Sequence, residues 1–139
     1  MALSDPRVQQ FLATKEVVVL ATLQPDGAPL AMPMWFFHDA TGITMISVDG
    51  LQKVHNLRRD PRVCVVAESV GATKEISGVV VRGRAEFLAD GAERRALVEK
   101  LLAKYDPRLA KLWGGTTMPP NRVMFRITPT AVRSWGLGH

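Results

Sequence analysis

In the stretch LQKVHNLRRDPR, Leu51 to Arg62, Lys53, Asn56 and Arg59 recur at a spacing of three. A helix with that spacing sets them roughly along one stripe. Lys53 falls in the opening turn, where unpaired backbone N–H groups and the helix dipole favour acidic side chains or bound anions. An ammonium added to those amide donors makes an anion trap, and the chemistry it suits is phosphate binding. Left in solvent, the same lysine costs only ~0.3–1 kcal/mol, so helix physics also admits a plain surface residue. Ser47 supplies a hydroxyl just before the helix, and Asp49 or Gly50 is the expected N-cap. Leu51, Val54 and Leu57 form the apolar stripe that anchors the helix, while Arg58 and Arg59 suit its last turn.

A second candidate surface precedes this one. Met32, Pro33, Met34 and Trp35 run without a charged residue, and a flat aromatic ring could lie against such a strand. Pro33 has no N–H and belongs on an edge or at a bulge, which leaves neighbouring backbone groups free for a ligand. Methionine and aromatic side chains of this kind also serve as core or dimer-interface residues.

Other chemistry finds little support. The single cysteine, Cys64, lies in the apolar run VCVVA and reads as a buried structural thiol. His38 at a hairpin tip, His55 on the helix and His139 at the terminus have no metal-ligand spacing and read as solvated. Asp39, Asp49 and Asp60 suit turns or caps rather than acid–base catalysis. No phosphate loop, dinucleotide fingerprint or nucleophile elbow occurs. The sequence therefore assigns no catalytic residue and no metal site.

These candidates need a scaffold. Ser4-Asp5-Pro6 starts a helix that ends near Thr14. EVVVLATL, Glu16 to Leu23, predicts a strand covered on both faces. QPDG turns the chain, APLAMPMWFFHD predicts a second strand, and ITMISV after HDATG predicts a third, together an antiparallel meander. The helix over 50–60 follows, then the strand VCVVAE, a loop over 69–75 and the long strand ISGVVVRGRAEFL. Along that strand Val79, Val81, Gly83, Ala85 and Phe87 alternate with Val80, Arg82, Arg84 and Glu86, as in a half-buried strand. Gly78 and Gly83 mark bends or bulges. Asp90 is the expected cap of a further helix carrying Leu97, Val98, Leu101 and Leu102, and Asp106 that of a short helix DPRLAKLW. RVMFRITP and TAVRSWG predict two final short strands. Strands at hairpin spacing with few helices indicate a mainly β antiparallel barrel with some α, one domain over residues 1–139.

The totals are compatible with this. The chain has 139 residues, 47% hydrophobic and 22% charged. No apolar run approaches the ~20 residues of a membrane span, and no signal peptide is visible, so a soluble cytoplasmic protein without membrane association is expected. The net charge is +5 and the pI about 9.9. Its basic residues are dispersed rather than interleaved with aromatics, which favours a phosphate-bearing small molecule over nucleic acid.

With VVVLATLQPDGAPLAMPMWF, ITMISVDGLQKVHNLRRDPRVCVV and ISGVVVRGRAEF set side by side, the chain resembles the split β-barrel flavin and deazaflavin oxidoreductases, the pyridoxamine 5′-phosphate oxidase superfamily. The resemblance runs from about Glu16 to Trp135, and K-x-x-N-L-R-R-D-P-R is its most specific element. It looks most like the actinobacterial branch that uses the deazaflavin coenzyme F420 in place of FMN. The resemblance implies a homodimeric split barrel with two cofactor sites at the subunit interface. It implies that Lys53 contacts the cofactor phosphate, with Ser47 and Gln52 nearby. Pro33, Met34 and Trp35 would lie along the tricyclic ring, and Trp135 where the partner subunit closes the pocket. Some deazaflavin-using relatives carry arginine where this chain has Leu51, which leaves Arg58 or a partner-chain arginine to supply that charge.

The function so implied is F420-dependent hydride transfer to a flat, hydrophobic unsaturated small molecule of quinone, tetrapyrrole or xenobiotic type. An FMN-dependent oxidase or reductase of the same fold, and a flavin- or haem-binding module without turnover, stand as alternatives.

Overall fold

The computed structural model describes residues 1–72 and 75–137; His139 lies outside them. Helix α1, Pro6–Ala13, begins at Asp5, whose carboxylate accepts the Arg7 N–H at 2.9 Å. It buries Val8 and Leu12 against the barrel. Strands β1 (Val18–Leu23) and β2 (Pro29–Met34) form a hairpin over Gln24–Gly27, with Gly27 at φ 86°. The predicted second strand then breaks at Trp35 and Phe36 and resumes as the short β3, Phe37–His38. After the Asp39–Gly42 turn comes β4, Ile43–Val48.

Both expected hairpins form, β1 with β2 and β3 with β4, but β2 and β3 lie at opposite edges of the sheet, so the expected strands do not make one contiguous meander. β4 pairs with β3 on one side and with β7 (Arg122–Trp135) on the other, not with β2. Helix α2 spans Gln52–Arg59, followed by β5, Arg62–Val70, and β6, Ile76–Phe87. The order across the sheet is β2-β1-β5-β6-β7-β4-β3, every pair antiparallel.

That order dictates the curl. A flat seven-stranded sheet would hold its edges about 29 Å apart, six gaps of ~4.8 Å. Yet the edge strands β2 and β3 are joined by Trp35 and Phe36 alone, and Met34 to Phe37 is three peptide steps, at most ~11 Å. The sheet must roll until its edges meet, without a ladder between them. Pro33 stands on edge strand β2, the place in a sheet that tolerates a residue without an N–H. Val18, Leu20, Ile43, Met45, Val65, Val81, Phe125 and Ile127 fill the interior.

Several local expectations change. The expected cover on both faces of β1 is not complete within one chain: Val19 is 36% exposed, and Val17 just before the strand 42%. Cys64 is half-buried on β5 rather than in the core. The expected loop over 69–75 loses Ser69 and Val70 to β5, and Thr73 and Lys74 lie outside the described residues. The two final strands are one, because an irregularity opposite Arg82 and Gly83 absorbs Thr130. Gly83 is required there: a Cβ would stand 2.3 Å from the Thr128 carbonyl oxygen.

Between β6 and β7 the chain makes a helical excursion, α3 (Ala92–Lys104) and α4 (Arg108–Trp113). Neither uses its expected aspartate cap. Gly91 and Pro107 occupy those positions, and Asp90 pairs instead with Arg94 and Arg95. Leu97, Leu101, Tyr105 and Leu109 form a second core with Met124 outside the barrel.

Candidate functional site

Where β4 runs into α2, Asp49 and Gly50 turn the chain, with Gly50 at φ 88°. The expected caps are not used. Leu51 is the N-cap, in extended conformation, and no side chain bonds the first turn. Asp49 is diverted: it accepts the Gly50 N–H at 2.9 Å and pairs with Arg58 at 3.5 Å. Val54 N–H bonds the Leu51 carbonyl at 3.0 Å, and the Gln52 and Lys53 amides stay uncapped by any described side chain, as an anion site requires. Leu51 is 46% exposed and does not join the core stripe of Val54 and Leu57.

Helix α2 is fixed by its polar stripe as well. Asn56 is fully buried and donates to Thr22 Oγ1 at 3.0 Å, while its amide oxygen accepts from Gln52 Nε2 at 2.9 Å. Arg59 bonds the Leu23 carbonyl. These contacts tie the helix to β1 and set Lys53 over β2. Lys53 Nζ stands 3.3 Å from Met34 Sδ, a weak acceptor. Among the described residues it has no carboxylate within ion-pair distance. Its half-burial draws its pKa below the ordinary lysine value. A partly desolvated ammonium without an anionic partner gains from a bound anion.

Lys53 opens onto a cleft of about 320 Å3, within the range of small-molecule sites. Pro33, Met34, Trp35, Ser47 and Lys53 line it together. Ser47 is buried, its hydroxyl donating to the Val48 carbonyl at 3.2 Å. Gln52 stands beside the cleft but is spent on Asn56. Trp135 lies elsewhere, at the end of β7 with its ring across Gly78, and is 41% exposed.

The opposite wall was not read from the sequence. Leu101 from α3, Tyr105 at its C-cap, and Leu109, Leu112 and Trp113 from α4 line it, with Arg122 from β7. The signal existed in part: Leu97 and Leu101 lie four residues apart on α3, but Tyr105 falls at the break between α3 and α4, where helical spacing no longer predicts a face. Tyr105 is fully buried and stacks on Trp35, ring centroids 4.4 Å apart and planes 6° from parallel. Its hydroxyl accepts the Phe36 N–H at 2.8 Å and stands 2.7 Å from the Glu16 carbonyl oxygen. Burial pushes its pKa up to about 12. The cleft thus carries two cations, Lys53 and Arg122, among aromatic and apolar walls.

Arg58 does not supply the charge that Leu51 lacks. Its guanidinium lies 4.4 Å over the Phe87 ring. His38, expected to be solvated, is half-buried and bonds Gln9 at 2.9 Å; burial lowers its pKa. Burial likewise raises the pKa of Cys64, which stays a neutral thiol. Among the described residues no three His, Cys, Asp or Glu gather as a metal site, and no helix is long and apolar enough to cross a membrane.

The family model described as pyridoxamine 5′-phosphate oxidase matches residues 4–136. No curated protein matches the chain. Among solved structures, a conserved hypothetical protein from Mycobacterium tuberculosis is 26% identical with a TM-score of 0.80, over 96% of this chain and 84% of that one. An FAD-binding protein from Mesorhizobium loti is 25% identical, TM-score 0.73, over 91% and 88%. A structure described as an F420 reductase is 26% identical, TM-score 0.67, over 90% and 94%.

Proposed function

The chain belongs to the pyridoxamine 5′-phosphate oxidase family, and from that premise we propose that it is an oxidoreductase that binds coenzyme F420 in the Lys53 cleft. The observation that carries this reading is the half-buried Lys53 ammonium, with no described carboxylate partner, beside the uncapped first turn of α2. The donor set fits a phosphorylated tricyclic cofactor. Lys53 and the α2 amides suit phosphoryl oxygens, and Pro33, Met34 and Trp35 offer a wall without charge for a flat ring. Likeness to an F420 reductase, over nearly the whole length of both chains, supports the deazaflavin. FMN in the same cleft is the second reading, favoured by the likeness to an FAD-binding protein.

When bound, the reduced deazaflavin supplies hydride; the protein supplies binding, orientation and dryness. Lys53 would neutralise the phosphate. Trp35, backed by the buried Tyr105, would exclude water with Leu109 and Trp113 from a flat, hydrophobic, unsaturated acceptor. No side chain is assigned to proton transfer. A homodimer fits the uncovered Val19 on β1 and Val17 just before it, and would bring the partner subunit to the cofactor sites.

The reading is tested by mixing the protein with reduced F420 and a panel of quinones and conjugated acceptors, and following reoxidation of the coenzyme. Catalysed turnover with any of them is expected. Turnover only with reduced FMN would favour the second reading, and turnover with neither would remove the enzyme assignment.

A further inference from the structure

The phosphate monoester of FMN carries about −1.5 to −2 charge at neutral pH, and the phosphodiester of F420 about −1 with carboxylates on the chain beyond it. One ammonium leaves part of that charge unpaired in a cleft with apolar walls, which is costly. A second cation is therefore expected, and the arginines near the cleft can be compared. Arg58 covers Phe87 and pairs with Asp49. Arg59 bonds the Leu23 carbonyl. Arg108 makes two contacts with the Glu16 carboxylate, at 3.1 and 3.2 Å, and lies 5.3 Å from the centre of the Trp35 ring.

Arg122 differs from all three. It lines the cleft, and its one described side-chain hydrogen bond runs to the neutral Asn121 Oδ1, at 2.6 Å. Its place is fixed by backbone. Arg122 is the register partner of Val48, its own N–H bonds the Pro119 carbonyl at 3.1 Å, and the Asn121 carbonyl accepts the Asp49 N–H at 2.8 Å. The start of β7 is thereby pinned to the turn that launches α2. A guanidinium offers a planar fork of donors matched to phosphate.

We infer that Arg122 is the second cationic contact of the phosphate held by Lys53, supplying from β7 the charge that Leu51 does not. This rests on the phosphate reading of the cleft. It makes Arg122 a determinant of selection for phosphorylated over unphosphorylated ligands.

The test compares dissociation constants for FMN against riboflavin, which differ only in the phosphate, and for F420 against its ribityl deazaflavin core, which lacks the phosphate and the tail beyond it, in the wild type, Arg122→Gln, Arg122→Lys and Lys53→Ala. Arg122→Gln should weaken the phosphorylated ligands roughly ten- to a hundred-fold, the loss of one charge-assisted contact, and leave the unphosphorylated ones unchanged. Arg122→Lys should recover part of the loss. If Lys53→Ala weakens the phosphorylated ligands while Arg122→Gln does not, Arg122 is excluded and the phosphate site stands. Equal weakening of both ligand forms by Arg122→Gln would also overturn the inference. If the wild type itself does not prefer the phosphorylated forms, the phosphate site falls, and Arg122's role with it.

Discussion

The Trp35 and Tyr105 rings lie parallel at 4.4 Å, and the Tyr105 hydroxyl takes the N–H of Phe36, the next residue along from Trp35. One side chain on the helical excursion thus holds both the cleft wall and the two-residue crossing that closes the barrel. Tyr105→Phe would keep the stack but leave the Phe36 amide without its described acceptor. A loss of about 1–3 kcal/mol is expected in urea unfolding, with an unchanged slope against denaturant.

The same hydroxyl gives the fold an alkaline limit. Its pKa rises from 10.0 to about 12 in the folded chain, mainly through burial. A raised folded value means that its contribution is fully present below the unfolded pKa and is lost as pH climbs through the folded one. Wild-type stability should therefore fall between pH 10 and pH 12 relative to Tyr105→Phe. Lys104, drawn down to about 8 by burial, titrates in both proteins and largely cancels. Parallel pH profiles for the two proteins would show that this hydroxyl is not held as described.

Asn56 links stability to the site. It is the buried tie between α2 and β1, and Lys53 is one turn earlier. Asn56→Ala should cost about 1–3 kcal/mol by stranding Thr22 Oγ1, and should also weaken cofactor binding without touching the ligand. Calorimetric unfolding and a binding titration on one sample check both; intact affinity would mean that the helix holds its position without this contact.

Much of this scaffold is legible in the residues. Asp5-Pro6 marks the first helix, Pro33 marks an edge, and the alternation from Val79 to Phe87 gives a half-buried strand, because each depends on local geometry. What escapes is non-local. Nothing near Ile43–Val48 says that it pairs with β7 rather than β2, or that Trp35 and Phe36 cross between sheet edges. Pro129 and Thr130 resemble a chain break, although a bulge carries β7 through them. At the site, Lys53 is visible because a cation in a first turn violates a local preference. Arg122 violates none, and only the folded chain sets it beside the turn into α2.

The uncovered face of β1 carries its own expectation. If Val17 and Val19 meet a second copy of the chain, Val19→Lys should convert a dimer to a monomer in sedimentation velocity, because an ammonium would be buried against apolar surface. A wild type that already sediments as a monomer would place the cleft within one chain alone.

Lys53 is the residue on which cofactor binding should depend most. Fluorescence-quenching titrations of the wild type and of Lys53→Ala with F420 and with FMN test it directly. Saturable micromolar or tighter binding of at least one cofactor is expected, weakened in the variant by about 1.5–3 kcal/mol, the strength of a charge-assisted contact. Binding to neither cofactor, or equal affinity in the two proteins, would contradict it.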